Sequence, residues 1–219
     1  MKRIIAVIAI LLIVLFGGCQ MKKDVKPSEM SPNDLPDERA FQDEFTREFL
    51  QSAEETRPGY YPFLSKTGKY KMDFPAGGLI DNLGYTIKKS NFEFLDVGIT
   101  YNDQTGANLT LTYYHENKIN DIDNHLSWFQ GRLGEPYDLE VYENETHNIY
   151  YSGFERSNFN YQVAYIQNKE GAGGIELIYF IKCPNNDCHG LNLLNKQEFL
   201  DWMNTIEFIN DESVNGLNE

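Results

Sequence analysis

Basic residues are scarce in this sequence. The chain of 219 residues carries 19 lysines and arginines against 33 aspartates and glutamates, and its formal net charge at pH 7 is −14. A surface with this excess of negative charge repels the phosphates of nucleic acids and of anionic lipid headgroups. Nucleic-acid binding is therefore excluded as a function, and the chain as a whole is a poor match for an anionic lipid surface.

Long apolar runs are also scarce, and the longest lies near the start of the chain. Residues 4–16 form an apolar run of 13 residues, whereas a helix that spans a bilayer needs about 20. The run follows a short basic start and ends at the small residues Gly17 and Gly18, which is typical of a secretory signal peptide. The sequence therefore predicts a signal peptide over residues 1–18.

The end of this run resembles the lipobox of bacterial lipoproteins. Its residues are Leu15, Phe16, Gly17, Gly18 and Cys19, although Phe16 is bulkier than the residue usual at that position. The resemblance implies cleavage before Cys19, lipid such as palmitate on that cysteine, and a protein held on the extracytoplasmic face of the cell membrane. Two or three acyl chains would anchor it firmly, because each buried CH₂ contributes about 0.8 kcal/mol. The alternative is an ordinary signal peptide with a chance cysteine.

Cysteine is nearly absent from the rest of the chain, where only Cys183 and Cys188 occur. In an oxidising compartment two cysteines this close usually form a disulfide, and the residues between them are typical of a turn. His189 raises the alternative of a zinc site, but a fourth ligand is not evident and adjacent residues seldom bind one ion. The sequence favours the disulfide and predicts no metal site.

The segment after Cys19 has no apolar periodicity. Residues 19–36 are polar and contain three prolines, so we expect the lipidated cysteine to be followed by a flexible tether. This tether would hold the folded part of the chain a few nanometres from the membrane at most.

Residues 37–57 predict one amphipathic helix, which Asp37 would cap at its N-terminus. Phe41, Phe45 and Phe49 recur every four residues and form an aromatic stripe along it. We favour packing of this stripe on the domain that follows. Docking of a partner protein on the stripe is the alternative.

Residues 58–210 predict one domain rich in strands. Runs with strand composition or alternation lie at residues 70–74, 92–101, 108–114, 139–143, 147–155, 161–167 and 175–181. A helix is expected between about residue 121 and Gly134, and a second one begins after Asn195, which forms a capping-box pattern with Glu198. Consecutive strands with short turns indicate an α+β fold, an antiparallel sheet flanked by helices. A polar tail over residues 211–219 would follow.

Over residues 60–209 this pattern resembles the Mog1/PsbP-like domains. The features that carry the resemblance are an opening hairpin with Phe74-Pro75, a helix in the middle before a meander of strands, and a closing helix that ends in Ile206-Glu207-Phe208. The resemblance implies a non-enzymatic adaptor or assembly factor, and it transfers no site residues because no site motif is shared.

Motifs of catalysis are missing from the sequence. It contains no phosphate-binding loop, nucleophile elbow or zinc-protease motif, so we expect no catalytic residues and no cofactor. The first hypothesis is a membrane-anchored interaction or assembly module with an envelope protein as its partner.

An alternative is a lipoprotein that binds a glycan or a small molecule. It draws on tyrosine doublets in or beside strands, in which one ring of each pair would face outward; these are Tyr60-Tyr61, Tyr113-Tyr114 and Tyr150-Tyr151. Helices that half-cover the outward rings would explain the doublets without any ligand. A hydrolase with a site assembled from distant residues is a third hypothesis.

Overall fold

Alternating apolar side chains build two antiparallel sheets. The computed structural model describes residues 25–101, 105–116, 121–134, 137–183, 188 and 194–210. The small sheet has the strand order β1-β2-β11 and consists of β1 (Tyr60–Leu64), β2 (Tyr70–Pro75) and β11 (Glu207–Phe208).

The large sheet has eight strands in the order β3-β5-β6-β10-β9-β8-β7, with β4 paired to β5 beside this path. Its strands are β3 (Gly78–Ile80), β4 (Thr86–Lys88), β5 (Phe92–Thr100), β6 (Gly106–Tyr114), β7 (Glu140–Glu143), β8 (His147–Arg156), β9 (Phe159–Asn168) and β10 (Gly174–Lys182). Its pairs are antiparallel. The predicted α+β class with an antiparallel sheet is confirmed.

The inner face of the large sheet packs against the small sheet. Leu111, Leu177 and Ile166 have no exposed surface, and they belong to one core cluster with Phe63 and Phe74 of the small sheet. Neighbouring residues of a strand point to opposite faces, so alternation collects the aliphatic side chains on this inner face. The opposite face of the large sheet is called the outer face below.

The single helix predicted over residues 37–57 is wrong. Two short helices stand there, α1 (Arg39–Gln42) and α2 (Glu44–Arg47). Asp43 between them has extended backbone angles, and its carboxylate accepts a hydrogen bond from the backbone N–H of Thr46 at 2.7 Å. The side chain therefore caps a new helix and does not continue the old one.

The break after α1 follows from the contacts that this segment makes with the rest of the domain. Ala40 donates its backbone N–H to Ala76 at 2.9 Å, and Leu50 pairs with Phe63 in an isolated bridge beside β1. These contacts attach the segment to the small sheet and to the turn after β2, and the Ile80 backbone N–H of β3 in the large sheet donates to the Thr46 hydroxyl at 3.0 Å. A straight helix of 20 residues is about 30 Å long and could not follow the domain surface so closely.

The flexible tether predicted over residues 19–36 is wrong for residues 25–36. Two 3-10 turns, Pro27–Glu29 and Pro32–Asp34, follow each other there. Pro27 is buried and Leu35 packs against the core. Proline presets the backbone angle that such turns need, and the two apolar side chains attach the segment to the domain. The predicted signal peptide, Cys19, residues 20–24 and the tail over residues 211–219 lie outside the described residues.

Two longer helices complete the domain. Helix α3 (Ile122–Leu133) ends at Gly134, which has a φ of 89°, a left-handed conformation that glycine adopts without strain. Helix α4 (Lys196–Met203) begins with the predicted capping box of Asn195 and Glu198.

The closing helix ends earlier than the sequence suggested. It stops at Met203, and Glu207–Phe208 form the short strand β11 against β2. Of the helices among the described residues, none has the length and apolar character needed to cross a membrane.

Candidate functional site

Helix α3 lies on the outer face of the large sheet and covers only part of it. Phe129 is its one buried residue and packs against Val163 and Tyr165 of β9. Ile122 and Leu126 of the helix are partly buried and pack against this cluster. The apolar attachment of α3 is thus small, in contrast to the large core on the inner face.

A buried carboxylate supplies the polar part of this attachment. Glu176 of β10 is 4% exposed, lies 2.9 Å from His125 Nε2 and forms an ion pair with Arg132 of the same helix. The Arg132 guanidinium also donates to the Tyr114 hydroxyl at 3.1 Å. Partial burial would lower the pKa of Arg132, but the charge of Glu176 and the hydrogen bonds raise it. The carboxylate therefore faces a permanent cation and serves to fix α3 on the sheet.

A row of aromatic rings continues across the outer face beyond the end of α3. Tyr137, Phe154, Phe159, Tyr161 and Phe180 form this row, and each is half-buried. Tyr137 follows α3, whereas the other four stand on the neighbouring strands β8, β9 and β10. We call these five residues the aromatic row.

The rings of the aromatic row pack against one another. Tyr137 and Phe154 stack with centroids 3.9 Å apart, and Phe154 stacks with Tyr161 at 5.1 Å. Tyr161 lies 5.7 Å from Phe180, which contacts Phe159 edge-on at 5.8 Å. Because the stacked rings turn their faces toward each other, they present mainly edges to the solvent. Such a surface offers apolar contact area and few hydrogen-bonding groups.

Polar residues border the aromatic row. Arg156 donates to the Leu133 carbonyl at 2.6 Å and to the Tyr137 hydroxyl at 3.3 Å, which fixes Tyr137 beside the sheet. On the other side of the outer face Thr110 donates to Asp96 at 2.7 Å. An apolar centre with a polar rim is the usual anatomy of a protein-binding surface.

A groove of about 480 Å³ lies elsewhere, at the junction of the two sheets. Tyr60, Arg39 and Tyr101 contribute side chains to it, and the Arg39 guanidinium hydrogen-bonds to the Thr100 hydroxyl. A Cβ atom on Gly77 would meet the Thr100 carbonyl oxygen, so the close approach of β3 to β5 beside the groove requires glycine. The volume is in the range of small-molecule sites.

The structure joins Cys183 and Cys188 in a disulfide, with their Cα atoms 4.7 Å apart. Cys183 is buried and donates its backbone N–H to Asn158 at 2.7 Å. The bridge therefore lies at the end of the β9–β10 pair that also carries Phe159. Among the residues that the structure describes, no cluster of His, Cys, Asp or Glu side chains could hold a metal ion.

The predicted docking residues pack on the domain itself. Phe41 is 2% exposed and Phe49 is fully buried, whereas Phe45 is partly exposed and contacts the core. Phe41 meets Tyr61 edge-on at 4.6 Å, and Phe49 stacks on Phe63 at 5.3 Å. The stripe thus belongs to the core of its own domain, and Phe41 and Phe49 are not displayed to a partner.

The tyrosine doublets divide between core and surface, as alternation requires. Tyr113 and Tyr151 are buried, and their neighbours Tyr114 and Tyr150 lie against or beside α3. The outward rings of these two doublets are therefore half-covered.

The residues of the aromatic row were not singled out from the sequence. In the sequence, Phe159 and Tyr161 are two positions apart. Phe154 and Phe180 point to the face of their strands that lies away from the buried inner residues. This pattern indicates a surface row only when it is known which element packs on each face of the sheet.

Comparison with known proteins identifies the family. Residues 36–207 match the family model YvcA_Mog1p, described as "Putative lipoprotein YvcA". The protein of that name from Bacillus subtilis (strain 168) is 28% identical over 212 residues, which cover 85% of this chain and 88% of that protein. The resemblance to Mog1/PsbP-like domains is confirmed.

A crystal structure of a protein from Bacteroides thetaiotaomicron VPI-5482 is similar with a TM-score of 0.41 and 12% identity. The similarity covers 69% of this chain and 49% of that one, so this chain spans about half the length of that protein. The family match, in contrast, extends over most of the present chain. This protein therefore belongs to the family described as "Putative lipoprotein YvcA".

Proposed function

We propose that this chain is a non-enzymatic interaction module, anchored by lipid on Cys19 to the extracytoplasmic face of the cell membrane. The aromatic row is its binding surface, and the partner is an envelope protein that inserts an apolar segment against the row. The observation that carries this proposal is the half-buried stack of Tyr137, Phe154, Tyr161 and Phe180 on the part of the outer face beyond α3.

The chemistry of the row favours a protein partner over a glycan. Three of its five members are phenylalanines, Phe154, Phe159 and Phe180, which supply no hydrogen-bonding atom. A sugar needs both an open ring face and polar groups that replace its water, whereas Phe154 has Tyr137 stacked on it at 3.9 Å. Aromatic rings at the centre of a polar-rimmed patch are enriched in protein interfaces.

The charged groups near the row support a role without catalysis. Glu176 is engaged by His125 and Arg132 of one helix, and Asp96 accepts the hydroxyl proton of Thr110. Each of these carboxylates holds a neighbouring element in place. A general acid or base would need a free path to a substrate.

The proposal can be tested by site-specific photo-crosslinking in cells that express the full chain. A photoreactive phenylalanine analogue at Phe180 is expected to yield a discrete covalent adduct with another membrane-fraction protein. The matched control is the same analogue at Val141, which is 51% exposed on the edge strand β7. Adducts of equal yield and pattern at both positions, or none at Phe180, would contradict the proposed surface.

Introduction of a charged residue into the aromatic row provides a second test. Phe180→Asp is expected to abolish the adduct formed by an analogue at Phe159, because a carboxylate in the interface would have to be desolvated. The same substitution should leave membrane attachment unchanged. Loss of the protein itself from the membrane fraction would instead indicate a folding defect, which a thermal melt of the purified variant detects.

Binding of a small molecule is a second candidate, and the groove of about 480 Å³ favours it. Tyr60 and Tyr101 provide ring surface there, and Arg39 provides a cation. Saturation-transfer NMR with soluble cell-wall glycan fragments tests this role. A signal that Tyr101→Ala removes and Phe180→Asp preserves would assign ligand binding to the groove.

A further inference from the structure

The described part of the chain begins close to the proposed anchor. Five residues separate Cys19 from Val25, and an extended chain advances at most about 3.6 Å per residue, so Val25 can lie no more than roughly 20 Å from the lipidated cysteine. Pro27 is buried, and the 3-10 turn that it opens packs against α2. This end of the domain is therefore held within a short distance of the membrane.

One loop borders the same helix. The loop over residues 81–91 contains β4 and follows β3, where the Ile80 backbone N–H donates to the Thr46 hydroxyl of α2 at 3.0 Å. The Tyr85 ring lies 5.3 Å from that of Phe45, also in α2. The loop and the first 3-10 turn of the described chain therefore lie against the same helix of four residues.

The loop over residues 81–91 exposes two large apolar side chains to the solvent. Leu83 is 93% exposed and Ile87 is 39% exposed. Ile87 pairs with Glu93 of β5, and the Glu93 carboxylate accepts a hydrogen bond from the Tyr85 hydroxyl. Ile87 therefore lies on the same side as Tyr85, which contacts Phe45 of α2. Both apolar side chains thus belong to a loop that lies against α2, the helix that the start of the described chain also contacts.

Basic side chains accompany these apolar ones. Lys88 and Lys89 follow Ile87 and are exposed, and Lys26 is exposed beside Val25. Neighbouring residues of a strand point to opposite faces, so Lys88 lies on the other side of β4 from Ile87, with its ammonium 5.5 Å from the centre of the Phe92 ring. Exposed acids stand on the same elements, Glu29 in the first 3-10 turn and Glu44 in α2, so the apolar side chains are the main part of the contact and the lysines add only to its affinity for anionic lipid.

We propose that the loop over residues 81–91 is a second membrane contact, whose occupant is the phospholipid surface that holds the anchor. Leu83 and Ile87 enter the boundary between headgroups and acyl chains, and the long side chains of Lys88 and Lys89 reach the lipid phosphates from the rim of this contact. A surface with apolar side chains beside lysines is suited to this boundary. The proposal rests on the proposed lipid anchor at Cys19.

Fluorescence quenching on vesicles tests this contact with the full lipidated chain. Because Cys183 and Cys188 are bridged and Cys19 would carry lipid, Leu83→Cys supplies a single free thiol for a polarity-sensitive dye. The protein is reconstituted into vesicles of phosphatidylcholine and phosphatidylglycerol that contain a lipid with a brominated acyl chain. We expect a blue-shifted emission that the brominated lipid quenches at least twofold.

The matched control is the same dye on Val141→Cys. Strand β7 stands at the opposite edge of the large sheet from β3, six strand spacings or about 29 Å away, so its dye should be quenched little. Equal quenching at the two positions would overturn the proposal, and so would no quenching at Leu83 in protein that floats with the vesicles. Protein that does not float would overturn the lipid anchor and this contact together.

The lysines are tested in the same assay. The double variant Lys88→Glu/Lys89→Glu should reduce the quenching of the Leu83 dye, and its effect should vanish in vesicles of phosphatidylcholine alone. Quenching that the double variant leaves unchanged in the anionic vesicles would overturn the role given to the lysines.

Discussion

Glu93 is an acidic residue in the core of the chain. It has no exposed surface and accepts hydrogen bonds from the Lys66 backbone N–H at 2.9 Å and from the Tyr85 hydroxyl at 2.8 Å. Burial raises its pKa above the ordinary value, and these hydrogen bonds offset part of that rise. The carboxylate links β5 to the turn between β1 and β2, and ionisation there carries an energetic cost.

The cost predicts a pH dependence of stability. The pKa of Glu93 is raised in the folded state above the ordinary 4.5, so the folded state holds the proton more tightly than the unfolded chain does. The contribution of Glu93 to the free energy of unfolding is therefore lost as pH rises from about 4.5 through the raised pKa. Each tenfold change in proton affinity corresponds to about 1.4 kcal/mol.

The substitution Glu93→Gln removes this titration. The free energy of unfolding of the variant, relative to that of wild type, should increase as pH rises from 4.5 to 7.5. Urea unfolding across that range measures this difference. Glu143→Gln, on the exposed strand β7, is the control that changes the same net charge. A stability difference between Glu93→Gln and wild type that does not change with pH would contradict this account.

At the scale of elements, the segment with α1 and α2 is part of the core and not an appendage. Phe49 has no exposed surface, and its ring meets those of Phe45, Phe63 and Tyr85 at 5.3–5.4 Å. The Lys66 ammonium lies 4.2 Å from the centre of the Phe45 ring. The aromatic stripe that suggests a docking helix in the sequence is covered by β1 and by the loop before β4.

Deletion of the Phe49 ring should therefore destabilise the whole domain. Phe49→Ala is expected to lower the free energy of unfolding by about 3–5 kcal/mol, because a large cavity forms in the core. Phe45→Ala should cost less, about 1–3 kcal/mol, because that side chain is only partly buried.

Urea unfolding of both variants measures these values. Leu83→Ala is the control, since its side chain is 93% exposed and its removal should change the free energy by less than about 0.5 kcal/mol. A Phe49→Ala midpoint equal to that of wild type would show that the stripe is not part of the core.

The end of α3, the start of α4 and most strand positions agree with the predictions from the sequence. Gly134 ends α3 and Asn195 caps α4 with Glu198, because both signals act on residues close in sequence. The break at Asp43 does not follow from the sequence pattern because the spacing of Phe41, Phe45 and Phe49 continues across it, although Asp is a poor residue in a helix interior and a good N-cap. Only the attachment of the segment to both sheets selects the cap.

At the scale of the whole molecule, the two proposed surfaces are separate. The loop over residues 81–91 is attached to β5, near one edge of the large sheet, whereas the aromatic row lies on β8, β9 and β10 toward the other edge. With the loop at the lipid surface, the row stays accessible to an envelope protein. This arrangement depends on the anchor at Cys19.

The proposed lipid anchor at Cys19 predicts where the protein is found in the cell. Cys19→Ala should remove the acyl chains, so the protein should no longer incorporate a labelled palmitate analogue or partition into the detergent phase. The double variant Cys183→Ala/Cys188→Ala keeps Cys19 and should stay lipidated, although loss of the bridge should cost about 2 kcal/mol of stability. Palmitate label on the Cys19→Ala protein would contradict the assignment.

The α+β class, most strands of the large sheet, the end of α3, the start of α4 and the pairing of Cys183 with Cys188 were all predictable from the sequence. These features depend on spacing and on capping or turn residues that act within a few positions of each other. Three features emerged only from long-range packing: the cover over Phe49, the pairing of Glu207–Phe208 with β2, and the half-buried position of Phe180 in the aromatic row. Alternation shows that a strand has two faces, but the element that covers each face comes from a distant part of the chain.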